Sequence, residues 1–457
     1  MVMMTYYTGP LMLISDDDKA KILRGLTEKK LKRMKKIELL PLLLVVLTCT
    51  VYRAGAQDLV LSPEKARSLA LENNRNLKKA QKEIEAARAG KASAYALGKP
   101  TLDGSLGGFY FTEPLTAFLP EVMGNASLTV TQVLYSGGKV QNARKVADAA
   151  LGLQNARKEL TEDEVLLKTE TAYWQVVDAK EKVILAKKYI QMLDTLSRDL
   201  KNSYDAGLTY KNDLLKVNVQ QNEAELNLTK ARDGVTMAKL SLAQLTGLGE
   251  SEFDVQDNIP GGFNGVLKEE TISALERRPE VDMLSKAVRI NELQEKLLAG
   301  DRKPVIALSG IGYGSFGRNI DMTKGKDDMK GFVGMASLSI PIFDWGGRKQ
   351  KVVEQRFKTD AQKIELDETK EQIMLEIRNV RLSLNQSAQQ VALAQKSLQQ
   401  AEENLRLNQD RFDAGTVLGK DVLEAQVLWQ QAYSNLIDAK AGYRINEARY
   451  KKAIGDY

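Results

Sequence analysis

Residues 172–207 read AYWQVVDAKEKVILAKKYIQMLDTLSRDLKNSYDAG, and residues 380–415 read VRLSLNQSAQQVALAQKSLQQAEENLRLNQDRFDAG. In the first stretch Val176, Val183, Ile190, Ser197 and Tyr204 recur every seven residues beside Ala172, Ala179, Ala186, Leu193 and Leu200. In the second, Leu384, Val391, Leu398, Leu405 and Phe412 do the same beside Val380, Ser387, Ala394, Ala401 and Asn408. Val176 corresponds to Leu384, Ile190 to Leu398 and Tyr204 to Phe412, each time 208 positions on. A seven-residue apolar repeat predicts helices packed as a left-handed coiled coil. The constant offset makes the chain a tandem duplication.

Working outward, the helical pattern runs from Gly138 to Tyr204 and from Gly347 to Phe412. At 1.5 Å per residue each helix is roughly 100 Å long, far beyond a globular core. Each ends in Asp-Ala-Gly (Asp205-Ala206-Gly207, Asp413-Ala414-Gly415), after which a second helix returns. There Val217, Ala224 and Ala231 map onto Ala425, Ala432 and Ala439, while Leu214 and Leu228 map onto Val422 and Leu436. Alanine at one seam lets antiparallel helices approach closely. None of the ten prolines lies between Pro120 and Pro260 or after Pro341, the two spans these helices need.

Ahead of each long helix the period changes to two. Ser62 to Leu97 reads as a helix started by Ser62-Pro63-Glu64 and stopped by Gly98-Lys99-Pro100. Then Leu102, Gly104, Leu106, Gly108 and Tyr110 alternate with Asp103, Ser105, Gly107, Phe109 and Phe111, and after a loop Ala126, Leu128 and Val130 alternate with Ser127, Thr129 and Thr131. The second half is expected to repeat this as Val305 to Phe316 and Phe332 to Phe343, with Gly317–Gly331 as a loop. Strands of about ten residues suit a tilted bilayer crossing. Four strands cannot close a pore. Two chains would give eight, a barrel that side chains fill, and three would give twelve, which leave room for water.

Composition narrows the chemistry. The formal net charge is +6, but residues 1–56 hold ten Lys/Arg and five Asp/Glu, so the remainder is nearly neutral and lacks the footprint of a nucleic-acid binder. Residues 32–57 read as a secretory signal: Lys32, Arg33, Lys35 and Lys36, an apolar run through Leu39–Leu47, and Ala54-Gly55-Ala56 as a cleavage site. The only cysteine, Cys49, lies within it, and the chain has no histidine. The mature chain is thereby expected to lack disulfides, thiol nucleophiles, imidazole bases and the usual metal ligands. No glycine loop followed by Lys and Ser/Thr offers a nucleotide site, and no cofactor is expected.

The order helix, strand, strand, long helix, return helix, repeated twice, resembles the outer-membrane efflux protein family, the TolC-like exit ducts. The resemblance rests on Ala70-Leu71-Glu72-Asn73-Asn74, Ala274-Leu275 with Arg278-Pro279-Glu280, Leu134-Tyr135-Ser136-Gly137-Gly138, Ile342-Phe343-Asp344-Trp345-Gly346-Gly347, Leu245-Thr246-Gly247 and the two Asp-Ala-Gly turns. Arg75 departs from it, standing where the family often has proline, as Pro279 does here. The resemblance implies an α+β membrane protein: a homotrimer with a twelve-stranded outer-membrane barrel, in contact with lipid and continued by a periplasmic barrel of twelve helices. The chain then divides into extension and signal (1–56), helix (57–100), first β-hairpin (101–135), first long coiled-coil hairpin (136–247), equatorial connector (248–270), helix (271–303), second β-hairpin (304–343) and second long hairpin with C-terminus (344–457). The loops Thr112–Gly124 and Gly317–Gly331 are expected to face the exterior.

Gly137, Gly138, Gly346 and Gly347 are expected to be the hinges where tilted strand becomes steep helix, because glycine permits the backbone angles required. Asp421 and Glu424, three apart near the start of the last helix, share one face, and in the family an acidic pair at this position lines the inner constriction. Read without that resemblance, they would complement the helix dipole. Their counterparts in the first half are Asp213 and Lys216. A tyrosine and an arginine often latch the family's closed end, near the positions of Phe412 and Val417 here. These lack a hydroxyl and a donor, which leaves Arg411, Lys420, Asp213 or packing around Phe412 as gate candidates. The tips Tyr204, Asp205, Gly207, Leu208, Asp413, Gly415 and Thr416 would meet a periplasmic adaptor (membrane fusion protein) joined to an inner-membrane pump or ABC exporter. On this reading the chain is a passive exit channel of a tripartite efflux or type I secretion system. A secreted structural or adhesive coiled coil, and a periplasmic adaptor with its own helical hairpin, are the alternatives.

Overall fold

In the computed structural model, residues 59–249, 253–256, 259–265, 271–321 and 324–457 are described; the signal, its cleavage site and Cys49 lie outside them. The elements run β1 (Leu59–Leu61), α1 (Pro63–Asn73), α2 (Arg75–Ala96), β2 (Thr101–Tyr110), β3 (Val122–Ser136), α3 (Lys139–Asp205), α4 (Lys211–Thr246), β4 (Phe253–Val255), α5 (Thr271–Arg277), α6 (Pro279–Ala299), β5 (Val305–Asp321), β6 (Lys326–Ser339), α7 (Gly347–Asp413) and α8 (Gly419–Ile454). Helices α3 and α7 have 67 residues each, and α4 and α8 have 36 each. The duplication read from the heptads therefore holds to the residue at all four helices.

Helix α3 packs on α4 and on α8, and α8 packs on α7. That arrangement explains where the heptad reading held. On α7, covered along one side, Leu384, Ser387, Val391 and Leu398 are buried as the seam requires. On α3, squeezed between two helices, Ala172, Val176, Leu193 and Leu200 are buried as the seams require and burial widens to Leu185, Tyr189 and Leu196, while Val183 and Ile190 are only half-buried and Tyr204 is exposed. Among the described residues no helix is long and apolar enough to cross a membrane.

The helix expected over 62–97 is two helices. Asn74 breaks it: its backbone is extended and its Oδ1 accepts from Asn76 N at 2.9 Å. Its Nδ2 donates to Leu245 O at 3.3 Å, tying the break to the end of α4. The second half repeats the device with different chemistry. Arg278, buried between α5 and α6, donates from Nη1 to Ala453 O at 3.0 Å, near the end of α8, and pairs through Nη2 with Glu280 and Glu376 at 2.8 and 2.9 Å. Arg75 and Pro279 each begin the helix that follows. The connector also holds structure, since β4 pairs with β1. In addition, Arg444 donates to Pro260 O and Gly261 O at 2.6 and 2.7 Å.

Asp163, half-buried on α3, is pushed up to about 6 by burial, reinforced by the Glu280 carboxylate and opposed by Lys452 and Arg278. A carboxyl that holds its proton more tightly folded than unfolded makes stability fall as pH rises through that window. Asp163→Asn is thus expected to melt higher than wild type at pH 8, by the equivalent of about 1 kcal/mol after solvent screening. The gap should close toward the unfolded carboxyl's pKa, near 4. A gap independent of pH would remove Asp163 from this role.

The four long strands form one antiparallel sheet in the order β2-β3-β5-β6. One face presents Leu102, Leu106, Leu128, Val130, Leu308, Phe332 and Leu338, all exposed. The other presents Asp103, Ser105, Asn125, Ser127, Thr129, Thr131, Ser309 and Ser337, interspersed with Phe109, Ile311, Val333 and Met335, and the Ser105 and Ser127 hydroxyls are 2.8 Å apart. The second hairpin differs from expectation. Residues 317–321 and 326–331 extend the strands, and Asp321 faces Lys326, leaving a short turn where a long loop was read. Strand β6 correspondingly ends at Ser339 rather than Phe343.

Candidate gate at the helical tips

Both tips are built by the backbone. Leu208 N donates to Ser203 O at 2.8 Å and Gly207 N to Tyr204 O at 2.9 Å; Thr416 N donates to Arg411 O and Gly415 N to Phe412 O, both at 2.9 Å. This pair of bonds closes a helix only when the residue after the cap takes the left-handed conformation, and Gly207 and Gly415 have φ of +75° and +68°. Tyr204, Asp205, Gly207, Leu208, Asp413, Gly415 and Thr416 are all exposed.

The tips are otherwise unequal. Phe412 is half-buried against a core formed by Leu193, Leu196, Leu200, Val217 and Val422, whereas its counterpart Tyr204 is exposed. The turn of the second hairpin is thus tucked onto the first by apolar packing. Arg411 and Lys420 are exposed; from Arg411 only the carbonyl is engaged in the turn, accepting also from Thr416 Oγ1 at 3.0 Å.

Val422, Ala425 and Gln426 form the buried face of α8, with Asp421 half-buried and Glu424 exposed beside it. Asp421 Oδ2 accepts from Leu418 N at 3.0 Å, so this carboxylate also caps its helix. Asp213 does not copy that bond: its Oδ2 accepts from Thr209 Oγ1 at 3.4 Å, and Lys216 Nζ lies 3.8 Å from its Oδ1. Unlike the Asp213–Lys216 pair, Asp421 and Glu424 put two acids three residues apart.

Sequence reading missed Gly419. It is buried, and a Cβ built on it would stand 2.5 Å from Leu200 Cδ2. The counterpart is Lys211, so a glycine opening one long helix and a lysine opening its copy was the available signal. Overpacking of this kind costs about 1–3 kcal/mol. Gly419→Val is expected to wedge the two hairpins apart and raise the conductance of the resting channel severalfold in a planar bilayer. Adding Leu200→Ala, which vacates the space, should bring it back toward wild type; no rescue would mean that the contact does not hold the tip.

At the strand-to-helix junctions the left-handed pair of the second half stands one residue earlier than Gly346-Gly347. Gly138 and Gly346 begin their helices at φ +86° and +82°, and the residues before them, Gly137 and Trp345, are also left-handed at +66° and +56°. Gly347 is already helical.

Residues 66–248 and 272–456 match the family model for outer membrane efflux protein. The chain is 23% identical over 344 residues to outer membrane protein TolC of Escherichia coli (strain K12), covering 72% of this chain and 69% of that protein. Crystal structures of CusC superpose with a TM-score of 0.77 at 16% identity, covering 88% of this chain and 94% of that one. The Campylobacter jejuni CmeC outer membrane channel superposes at 0.72 and 20% identity, covering 86% and 85%. The two matched segments coincide with the two halves of the duplication, and the chain belongs to the outer membrane efflux protein family, as a TolC-like, non-enzymatic efflux channel of the outer membrane.

Proposed function

We propose that three copies of the chain form a continuous duct, a twelve-stranded barrel in the outer membrane leading into a periplasmic tunnel of twelve helices. Substrates would pass through it from a periplasmic adaptor and an inner-membrane pump. The observation that carries this reading is the sheet: four strands with one largely apolar face and a more polar, hydroxyl-rich one, and unpaired edges at β2 and β6. Exposed edges of ten and fourteen residues invite further strands, and in lipid every backbone group needs a partner, so the sheet must close. Three copies are the smallest symmetric closure that leaves a water-filled interior.

Asp421 and Glu424 would ring the periplasmic aperture with six carboxylates, favouring cations. Phe412 and the apolar contacts around it would hold that end closed, and the adaptor would dock on the tips. The duct supplies no energy itself. Purified wild type is expected to have the mass of three copies in detergent and to give a small cation-selective conductance in a planar bilayer. Folded protein with neither property would overturn the reading.

A further inference from the structure

The duplication specifies how one copy meets the next. Thr101 pairs with Thr131 in the first hairpin and Val305 with Ser339 in the second. The leading strands are thus 204 residues apart and the trailing strands 208, with one register common to both hairpins. Inside the chain the hairpins join trailing strand to leading strand, β3 to β5. The edges left open are a trailing strand, β6, and a leading strand, β2. We propose that the seam between copies repeats the β3–β5 seam residue for residue, with Ser339 opposite Ser105 of the next copy and Trp345 covering its Leu97. This rests on the three-copy reading above.

The register transfers directly. Thr131 opposite Ser309 becomes Ser339 opposite Ser105, keeping a hydroxyl on each side of the polar face; in the internal seam those hydroxyls are 3.4 Å apart. Past the irregularity at Leu134, Tyr135 opposite Ile306 and Ser136 opposite Val305 become Phe343 opposite Leu102 and Asp344 opposite Thr101. Residues 340–344, which belong to no strand in one copy, thereby gain partners. Their exposure marks the missing cover. Leu134 and Tyr135 are 58% and 44% exposed, and their counterparts Ile342 and Phe343 are 92% and 71% exposed.

Four positions at the hinge change in concert. In the internal seam Lys139 Nζ pairs with Asp301 Oδ1 at 2.9 Å. Gly300 makes room for that lysine, since a Cβ there would lie 2.6 Å from Lys139 Cγ; Gly137 is pressed on Gly300, where a Cβ would lie 2.5 Å from the carbonyl oxygen. The counterparts across the open seam are Gly347 for Lys139, Ala96 for Gly300, Leu97 for Asp301 and Trp345 for Gly137. Losing the lysine side chain frees the space that the alanine methyl needs. Losing the ion pair leaves Leu97, 57% exposed, opposite Gly347 with no side chain over it, and the 91% exposed tryptophan that replaces Gly137, opposite the adjoining Ala96, is large enough to reach across and cover it. A polar contact between small residues is exchanged for a large apolar one, so this seam stands wider at the hinge than its internal template.

Cysteine pairs in the full chain, with Cys49→Ser throughout and the protein in outer-membrane preparations, test the register. Ser339→Cys with Ser105→Cys is expected to give a covalent trimer on mild oxidation that reverts to single chains on reduction. A slip of two residues moves the partner about 7 Å along the strand, beyond disulfide reach. Ser339→Cys with Asp103→Cys, or with Gly107→Cys, should therefore link less than about a tenth as well. Stronger linking at a slipped pair, or no linking at any pair by protein with a three-copy mass, overturns the copied register and spares the trimer. A single-copy mass for the wild type sinks the trimer itself. Trp345→Asp is expected to weaken association about tenfold and Trp345→Phe no more than about twofold, because a buried aromatic anchor tolerates another ring and not a charge. Equal effects of the two would show that Trp345 covers nothing on the next copy.

Discussion

Replacing Asp421 by Asn and Glu424 by Gln is expected to lower the channel's preference for cations over anions by about tenfold, a change of about 1.4 kcal/mol in relative barrier. A unit charge some 8 Å from an ion contributes about 2 kcal/mol at an effective dielectric of 20, so losing the six charges of the proposed aperture covers that figure, even after screening. The substitutions are selective for charge. Asp421 accepts a hydrogen bond from Leu418 N, and an asparagine oxygen can accept the same bond; Glu424 is exposed, and Gln preserves its size. The dipole interaction lost with each acid is worth only about 0.3–1 kcal/mol, too little to unravel α8. Permeability ratios from reversal potentials in a salt gradient measure the effect, which should shrink as salt is raised. Unchanged selectivity at low salt would leave Asp421 as a helix cap and Glu424 as solvated surface.

The parts of this molecule legible in its sequence are those that repeat. Heptads at a fixed offset of 208 located four helices whose lengths match in pairs, because a helix covered along one side must carry its apolar residues at its own period. Where two neighbours cover a helix, as on α3, the period blurs: the heptad picks out Ala172, Val176, Leu193 and Leu200, which are buried, but not Leu185, Tyr189 and Leu196, which are buried as well. The break at Asn74 was hidden for another reason: besides its local bond to Asn76 N, it is held by Leu245 O, 171 residues away. The second hairpin misled through its charges. Lys326, Asp327, Asp328 and Lys330 are solvated, but lysine and aspartate report exposure rather than backbone conformation, and strands continue through them. Gly419 differs from its counterpart Lys211, but that difference gives no reason by itself; the Leu200 methyl beside it supplies the reason. The acidic pair was visible as residues, and its two bonding states were not, since capping by Asp421 depends on where α8 begins.

Gly207→Pro combined with Gly415→Pro is expected to abolish productive docking at the tips while leaving the assembled duct intact. Proline fixes φ near −65° and has no N–H, so at φ of +75° and +68° it can neither adopt the turn nor donate to Tyr204 O or Phe412 O. The local cost is about 3 kcal/mol or more at each turn, enough to unwind the last helical turn and displace the exposed Leu208 and Tyr210 beside it. The sheet and the helix cores lie far from the turns, so trimer mass and outer-membrane insertion should match wild type. Alanine provides the control: nothing stands within 4 Å of a Cβ at either glycine, and a left-handed alanine costs only about 1–2 kcal/mol, so the double alanine variant should keep most of the export. Site-directed cross-linking of the tips to the adaptor, with export measured in the same cells, reads the result. Loss of both with proline and retention with alanine is the outcome that a tip-docked adaptor requires, because only the turn conformation distinguishes the two substitutions. Retention of both with proline would move the adaptor's contact away from these turns and onto the sides of α4 and α8.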